Sequence, residues 1–248
     1  MKIIASDYDG TLNYGGVSDA KREAISRWRR EGNLFGLVSG RGIHGLLSIV
    51  RHEKFECDFL LANNGATVCR PDGTVLRETR CDGKIAVPLL ELIFELGCPV
   101  GYINAEPPLT VKADGEELCD GEFRLDKLPE LPYFNQISTI LPNNDEAARV
   151  TAVVRERFSE QLNPLQNGRC IDIVPAGMNK AQGLYGLLEE FGASYDDIIT
   201  VGDNINDADM IREFRSYAVA NALDEIKEMA NAVIPGVAEL IELELSTK

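Results

Sequence analysis

Histidine is scarce in this chain, and cysteine never occurs in the paired spacing typical of metal or redox sites. The only two histidines, His44 and His52, lie in one stretch with helical spacing. A Ser-His-Asp triad would need one of them beside a distant serine, so we interpret both as solvated helix positions. The six cysteines include no CxxC pair, which argues against a zinc site or a redox dithiol. We expect reduced thiols and a cytoplasmic protein.

Long apolar runs are also missing, and basic residues are outnumbered. No stretch approaches the length of a membrane span, and the segment after Met1 becomes acidic at Asp7, too soon for a signal peptide. The 25 basic residues against 40 acidic ones give a formal charge of -15 at pH 7. Such a field repels nucleic acid and anionic membranes, so we expect neither as a partner. A small anionic substrate would need basic groups close to it.

The order of apolar runs predicts one domain interrupted by another. The runs "IIASD", "NLFGLVSG" and "DFLLANNG" are separated by helical patterns, a βαβαβ beginning that indicates a parallel sheet. The alternation of helix and strand patterns returns at "NKAQGLYGLLEEFG". The segment between these two α/β parts has Pro-rich turns and a hairpin signal at Asn167-Gly168. We therefore predict an α/β fold with a parallel-sheet core of residues 1–81 and 175–248. Residues 82–174 would form an inserted α+β domain that acts as a lid.

Four acidic residues follow two of the predicted strands. Asp7 and Asp9 end the run "IIASDYDG", and Asp203 and Asp207 follow "IITVG". The carboxyl ends of strands are where open α/β sheets bind ligands, so carboxylates of neighbouring strands would converge there and need a cation between them. One carboxylate could attack an electrophile while a second transfers a proton. The alternatives are an Asp-Gly turn at Asp9 and simple helix capping at Asp207.

A serine and a lysine occupy similar boundaries. Ser39 ends the run "FGLVS" and heads a predicted helix, where its hydroxyl could hold a phosphate oxygen or merely cap the helix. Lys180 opens another predicted helix, an unusual place for a cation because the helix dipole is positive there. A nearby anion would explain it, and a solvated surface lysine is the alternative.

Taken together and in order, these motifs resemble those of the haloacid dehalogenase superfamily of phosphotransferases, especially its Cof-type sugar-phosphate phosphatases. The resemblance spans the chain through "DYDGT", "VSGR", "NNGA", Lys180, "GDNINDADM" and "AVANA". It implies a Rossmann-like core with an inserted cap. Two positions depart from the usual pattern: Tyr8 stands where leucine is common, and Ala181 where glycine usually follows the lysine.

The resemblance also implies a mechanism and a metal. Asp7 would be the nucleophile that forms an aspartyl phosphate, and Asp9 the general acid that later activates water. Mg²⁺ would be held by the Asp7 carboxylate, the Asp9 backbone carbonyl and Asp203.

The remaining roles concern the phosphoryl group and the substrate. Ser39 and Lys180 would grip the phosphoryl group, and Asp207 would orient Lys180 or the waters of the metal. Gly40, Arg41 and Asn206 would reach the phosphate or the sugar.

The sequence therefore predicts a Mg²⁺-dependent phosphatase that acts on a small phosphorylated metabolite, with a sugar phosphate as the expected substrate. A phosphomannomutase-like phosphotransferase of the same superfamily is the alternative, because it would share the acid pair but keep the phosphoryl group on a bound bisphosphate. A non-catalytic binding protein would have to lack a catalytic group, and all the expected groups are present.

Overall fold

The computed structural model describes residues 1–113 and 118–247. The chain divides into two compact units, the first made of Met1–Arg77 and Lys180–Lys248 and the second of Glu78–Asn179. The roles of these units as catalytic core and lid stay predictions.

In the described part of the chain the strands, in order, are β1 (Ile3–Asp7), β2 (Leu34–Val38), β3 (Phe59–Ala62), β4 (Thr67–Cys69), β5 (Val75–Glu78), β6 (Cys81–Asp82), β7 (Val100–Asn104), β8 (Leu109–Lys112), β9 (Glu122–Arg124), β10 (Tyr133–Phe134), β11 (Gln136–Ile140), β12 (Leu162–Asn167), β13 (Cys170–Pro175), β14 (Ile198–Gly202), β15 (Arg215–Val219) and β16 (Ala232–Ile234). The α-helices are α1 (Asp19–Arg30), α2 (Ile43–Glu53), α3 (Ala86–Glu95), α4 (Asn144–Phe158), α5 (Lys180–Phe191), α6 (Ala208–Glu213), α7 (Asp224–Met229) and α8 (Val237–Ser246).

The first unit is built on a sheet with the order β16-β15-β14-β1-β2-β3-β4-β5. The six strands from β16 to β3 run parallel, and β4 pairs antiparallel with β3. Every residue of β1, β3 and β14 is buried, as expected for strands covered on both faces. The predicted α/β fold with a parallel-sheet core is confirmed. Because β14 lies directly beside β1, their carboxyl ends are neighbours.

Local signals explain where the first helix begins and ends. The Ser18 hydroxyl accepts a hydrogen bond from the backbone N–H of Lys21 and so caps α1. Gly32 follows the helix with a φ of 78°, a left-handed conformation that glycine adopts without steric cost. Trp28 is buried on the inner face of α1, and its indole N–H donates to the carbonyl of Leu34 at 2.8 Å. The helix is thereby held against the start of β2.

The second unit has its own sheet and its own core. The sheet order is β12-β13-β11-β7-β8-β9, and the pairs are antiparallel except that β8 and β9 run parallel. The predicted turn at Asn167-Gly168 is confirmed, because it joins the antiparallel strands β12 and β13. Apolar side chains of this sheet pack with those of α3 and α4 into a separate buried cluster. Each unit therefore buries a hydrophobic core of its own.

Among residues 1–113 and 118–247, none of the helices has both the length and the apolar character needed to cross a membrane.

Gly36 tests how tightly the central sheet is packed. A Cβ at Gly36, in β2, would lie 2.5 Å from the aromatic ring of Phe59 in β3. We expect Gly36→Ala to lower the free energy of unfolding by about 1–3 kcal/mol, the usual cost of overpacking a filled core. Urea unfolding monitored by circular dichroism measures it.

Gly45→Ala is the matched control for Gly36→Ala. Outside its own helix backbone, the described atom nearest to a Cβ at Gly45 would be the Arg41 Cβ, at an ordinary 3.7 Å. Gly45 lies inside α2, where alanine is favoured by roughly 1 kcal/mol. An equal loss of stability in both variants would contradict the packing argument.

Candidate active site

Asp7 is the last residue of β1, and its side chain points into a buried cluster. The residue is 5% exposed, and its Oδ1 accepts a hydrogen bond from the Lys180 ammonium at 2.7 Å. Its Oδ2 is buried and has no hydrogen-bond partner among the described residues. Burial raises the pKa of Asp7 well above its usual value, and the nearby Asp207 carboxylate adds to this effect although Lys180 opposes it.

Lys180 begins α5 and is completely buried. Its ammonium donates to Asp7 and also to Oδ1 of Asp207, so the anion expected beside this helix start consists of two carboxylates. Burial lowers the pKa of Lys180, but the attraction of the two carboxylates outweighs burial and the pKa is raised overall. Lys180 is therefore held as a cation and is not a solvated surface lysine.

Asp207 orients the backbone after β14 as well as the lysine. It is fully buried, and while Oδ1 binds Lys180, Oδ2 accepts the backbone N–H groups of Asp203 and Asn204 at 2.9 and 3.1 Å. The close approach depends on Gly202, because a Cβ there would lie 2.6 Å from the Asp207 carboxylate. Both oxygens of Asp207 are thus already engaged within the protein.

Asp203 lies against the loop that follows β1, where it contacts the Thr11 hydroxyl and packs closely on Gly10. The Thr11 hydroxyl donates to Asp203 Oδ1 at 2.7 Å, and a Cβ on Gly10 would lie 2.3 Å from Oδ2. Gly10 also has a φ of 87°, a left-handed conformation in the turn after Asp9. Burial raises the pKa of Asp203, the Thr11 hydrogen bond lowers it, and Asp207 raises it further.

The carboxylates of Asp7, Asp203 and Asp207 suit a hard metal ion. One oxygen from each lies within 4.8 Å of the others. Among the described residues, three acids share one lysine in this cluster, which leaves an excess of negative charge, and Asp7 Oδ2 accepts no hydrogen bond from any of them. Divalent cations such as Mg²⁺ favour this kind of oxygen ligand. Since both Asp207 oxygens already accept hydrogen bonds, Asp7 and Asp203 are better placed than Asp207 to offer an oxygen to a metal ion.

Asp9 lies at the rim and pairs with Arg41. The guanidinium donates from Nε and Nη2 to the two carboxylate oxygens at 2.6 and 2.8 Å, a bidentate geometry. Both side chains are about half-exposed, at 46% and 49%. Arg41, which was expected to reach the phosphate or the sugar, here contacts the predicted general acid.

Ser39 is buried in the loop after β2, but it does not head a helix as the sequence suggested. Helix α2 begins at Ile43, and its N-cap residue is Gly42, so that expectation was wrong. Ser39 Oγ instead accepts the backbone N–H of Arg41 at 3.1 Å. The chain needs the residues between Ser39 and Gly42 to leave the sheet before the helix can start. The two other predicted binding residues, Gly40 and Asn206, are half-buried.

Two side chains that hold the loop after β1 were not predicted from the sequence. Asn221 donates its side-chain amide to the carbonyl of Gly10 at 2.8 Å, and "AVANA" had marked this segment without assigning it a role. Lys21 places its ammonium against the carbonyls of Leu12, Tyr14 and Gly16, at 2.7, 2.8 and 2.9 Å. Nothing in the sequence of α1 indicated that Lys21 folds back on this loop.

A family comparison agrees with this geometry. The model of the haloacid dehalogenase-like hydrolases matches residues 4–239. The chain belongs to this family. The resemblance to the haloacid dehalogenase superfamily and the prediction of a hydrolase are both confirmed.

Relatives of this haloacid dehalogenase-like hydrolase extend over nearly its whole length. The HMP-PP phosphatase of Cronobacter sakazakii is 23% identical over 221 residues, which cover 85% of this chain and 80% of that protein. A haloacid dehalogenase-like hydrolase from B. subtilis superposes with a TM-score of 0.83 at 19% identity, covering 98% of this chain and 99% of that one. A sugar phosphatase of HAD subclass IIB superposes with a TM-score of 0.78 at 16% identity, over 98% and 99% of the two chains. These likenesses are consistent with a phosphoric monoester hydrolase.

The raised pKa of Asp203 predicts how stability depends on pH in metal-free protein. Because the folded state holds this proton more tightly than the unfolded state does, the contribution of Asp203 to stability falls as pH rises from 3.8 through the raised pKa. Asp203→Asn cannot ionise, and its amide oxygen can still accept from Thr11. We expect the variant to be more stable than the wild type at pH 7, with the difference shrinking towards pH 4.

Urea unfolding in the presence of a chelator measures this difference from pH 4 to pH 7. Asp19→Asn is the control, since the Asp19 side chain is 99% exposed and should show no comparable trend. A stability gain for Asp203→Asn that grows as pH falls would contradict the assignment.

Proposed function

We propose that the protein hydrolyses the phosphate ester of a small metabolite, a sugar phosphate in the first instance, through an aspartyl phosphate on Asp7. The observation that carries the proposal is the buried arrangement of Asp7 against Lys180. One Asp7 oxygen binds the lysine while the other, buried and without a partner among the described residues, remains available to a metal or to phosphorus. A nucleophile held in this way has little freedom to lose when the reaction begins.

In the first step an oxygen of the Asp7 carboxylate would attack phosphorus, and the bond from phosphorus to the ester oxygen would break. Asp9, after leaving Arg41 and taking up a proton from solvent, would give that proton to the ester oxygen, so that the metabolite leaves as an alcohol. Lys180 and the Ser39 hydroxyl would hold the phosphoryl oxygens as their charge rearranges. Lys180 suits this task because its charge is already fixed by Asp7 and Asp207 before a substrate arrives.

In the second step Asp9, now a carboxylate, would take a proton from a water molecule as that water attacks phosphorus. The bond between phosphorus and Asp7 would break, releasing inorganic phosphate and restoring the Asp7 carboxylate. For both steps Asp9 must leave the guanidinium of Arg41. The pair is half-exposed, so an anionic or hydroxyl-bearing substrate could take over Arg41 at little cost.

The metal proposed for this site is Mg²⁺, with Asp7, the Asp9 backbone carbonyl and Asp203 as its ligands from the protein. When bound it would offset the charge that the three neighbouring carboxylates create and would polarise a phosphoryl oxygen. Thr11 would keep Asp203 turned towards this position.

The names of two compared proteins, an HMP-PP phosphatase and a sugar phosphatase, support hydrolysis over phosphoryl transfer between sugars. The proposed catalytic residues all lie outside residues 82–174, which leaves that segment to select the leaving group. The phosphomannomutase-like alternative predicts no phosphate release without a bisphosphate activator. A cytoplasmic location stays a prediction.

The activity is tested with a phosphate-release screen over sugar phosphates, nucleotides and phosphorylated acids, with and without Mg²⁺ and without any bisphosphate. We expect release from at least one sugar phosphate that requires Mg²⁺. Asp7→Asn should lose essentially all turnover, because the amide cannot attack phosphorus. Asp19→Asn, which makes the same chemical change at an exposed position, should keep the wild-type rate. Wild-type turnover by Asp7→Asn would remove the covalent mechanism.

Metal binding can be tested without any turnover. A ligand that binds only the folded state raises its stability, by about 2.7 kcal/mol at a hundredfold excess over Kd. We expect Mg²⁺ to raise the melting temperature of the wild type and of Asp9→Ala, whose proposed contact is a backbone carbonyl. The rise should be lost in Asp203→Asn. A full Mg²⁺-dependent rise in Asp203→Asn, measured by differential scanning fluorimetry, would contradict the ligand set.

A further inference from the structure

Three consecutive left-handed residues follow β3, and the reaction proposed above assigns them no role. Asn63, Asn64 and Gly65 have φ values of 52°, 48° and 98°. The two asparagines are 2% and 0% exposed. Left-handed backbone is unfavourable for residues with a side chain, and it persists only where the surrounding structure enforces it. We refer to Asn63–Gly65 as the left-handed loop.

The left-handed loop holds the segment that carries Ser39. The backbone N–H of Asn63 donates to the carbonyl of Arg41 at 2.9 Å, and that of Asn64 donates to the carbonyl of Ser39 at 3.0 Å. In the other direction, the N–H of Ser39 donates to the carbonyl of Leu61 at 2.9 Å. Because the left-handed conformation turns two successive N–H groups towards the segment 39–41, it holds Ser39 through backbone hydrogen bonds.

The same loop touches the helix that carries Lys180. A Cβ on Gly183 would lie 2.5 Å from the Cα of Gly65 and 3.0 Å from its carbonyl oxygen. Gly183 is three residues after Lys180, in the first turn of α5. The contact is therefore between two backbones and cannot be relieved by the movement of a side chain. It fixes how closely the start of α5 approaches the loop.

We propose that the left-handed loop is a spacer that sets the distance between Ser39 and Lys180, so that both groups reach the same phosphoryl group. Asn64, Gly65 and Gly183 are then positioning residues that do not contact the substrate. The proposal rests on the function proposed above, in which Ser39 and Lys180 grip the phosphoryl group. A misplacement of about 1 Å in such a site can reduce the rate about a hundredfold.

Gly183→Ala tests the spacer, and Gly186→Ala is its matched control. Both variants add one methyl group to the same helix and favour it equally. At Gly186 the new Cβ would meet the flexible side chain of Arg77, at 3.1 Å, instead of backbone. We expect kcat to fall at least tenfold in Gly183→Ala and to stay within threefold of the wild type in Gly186→Ala. The rise in melting temperature caused by Mg²⁺ should be kept in both, because Asp7 and Asp203 lie on other elements.

A second pair covers the case in which Gly183→Ala does not fold. Gly65→Ala and Gly73→Ala place alanine at nearly the same left-handed φ, 98° and 95°, and Gly73 belongs to a turn at the far end of the β4–β5 hairpin. Both should lower the melting temperature. Only Gly65→Ala should also lower kcat at least tenfold, measured well below the melting temperature.

Each result decides the proposal. If kcat of Gly183→Ala and Gly65→Ala stays within threefold of the wild type, or if the control of each pair loses as much as its partner, the spacer is overturned while the phosphatase stands. If the wild type releases no phosphate from any ester tested, the proposed function fails first and the spacer fails with it.

Discussion

The site depends on one buried ammonium group, that of Lys180. A cation fully removed from water is tolerated only when it is paired, and breaking such a pair costs about 3–5 kcal/mol. Its partners Asp7 and Asp207 are 173 and 27 residues away along the chain, on different elements. The start of α5, the end of β1 and the turn after β14 must therefore meet in one arrangement for the first unit to fold without an unpaired charge. The residues proposed for catalysis are thus also a constraint on the fold.

The same cluster is not electrically balanced, and this imbalance connects stability to function. In the part of the chain that the structure describes, Asp7, Asp203 and Asp207 share one lysine, so the metal-free site carries excess negative charge in a protein already at -15. An anionic substrate would be repelled from such a site unless a cation offset the charge. Glycine allows the charges to lie this close, since a Cβ at Gly10 or Gly202 would occupy the space of the neighbouring carboxylate. If the site binds the proposed metal, the close approach of its carboxylates would lower the stability of the metal-free form and favour the cation.

Much of the site could be predicted because its residues stand at boundaries that the sequence marks. An apolar run ending in Asp7 is a buried strand with an acid at its tip, and a lysine heading a helix needs an anion. Other features depend on the path of loops, which no local pattern encodes. The helix after Ser39 starts only at Ile43, and the side chain of Arg41 reaches back 32 residues to Asp9. Long side chains and irregular loops choose partners only once the fold has brought those partners together.

The two charge pairs at the site differ in how deeply they are buried, and each degree of burial suits the proposed role of its aspartate. The pair of Lys180 with Asp7 is buried, so it is expensive to break and holds the proposed nucleophile in one place. The pair of Arg41 with Asp9 is bidentate but half-exposed, and pairs of that kind contribute about 1 kcal/mol or less. A nucleophile gains from rigidity, because freedom lost in advance need not be lost during the reaction. Asp9 is proposed to donate a proton and then accept one, so its ion pair with Arg41 must break. Because that pair is half-exposed, breaking it costs little.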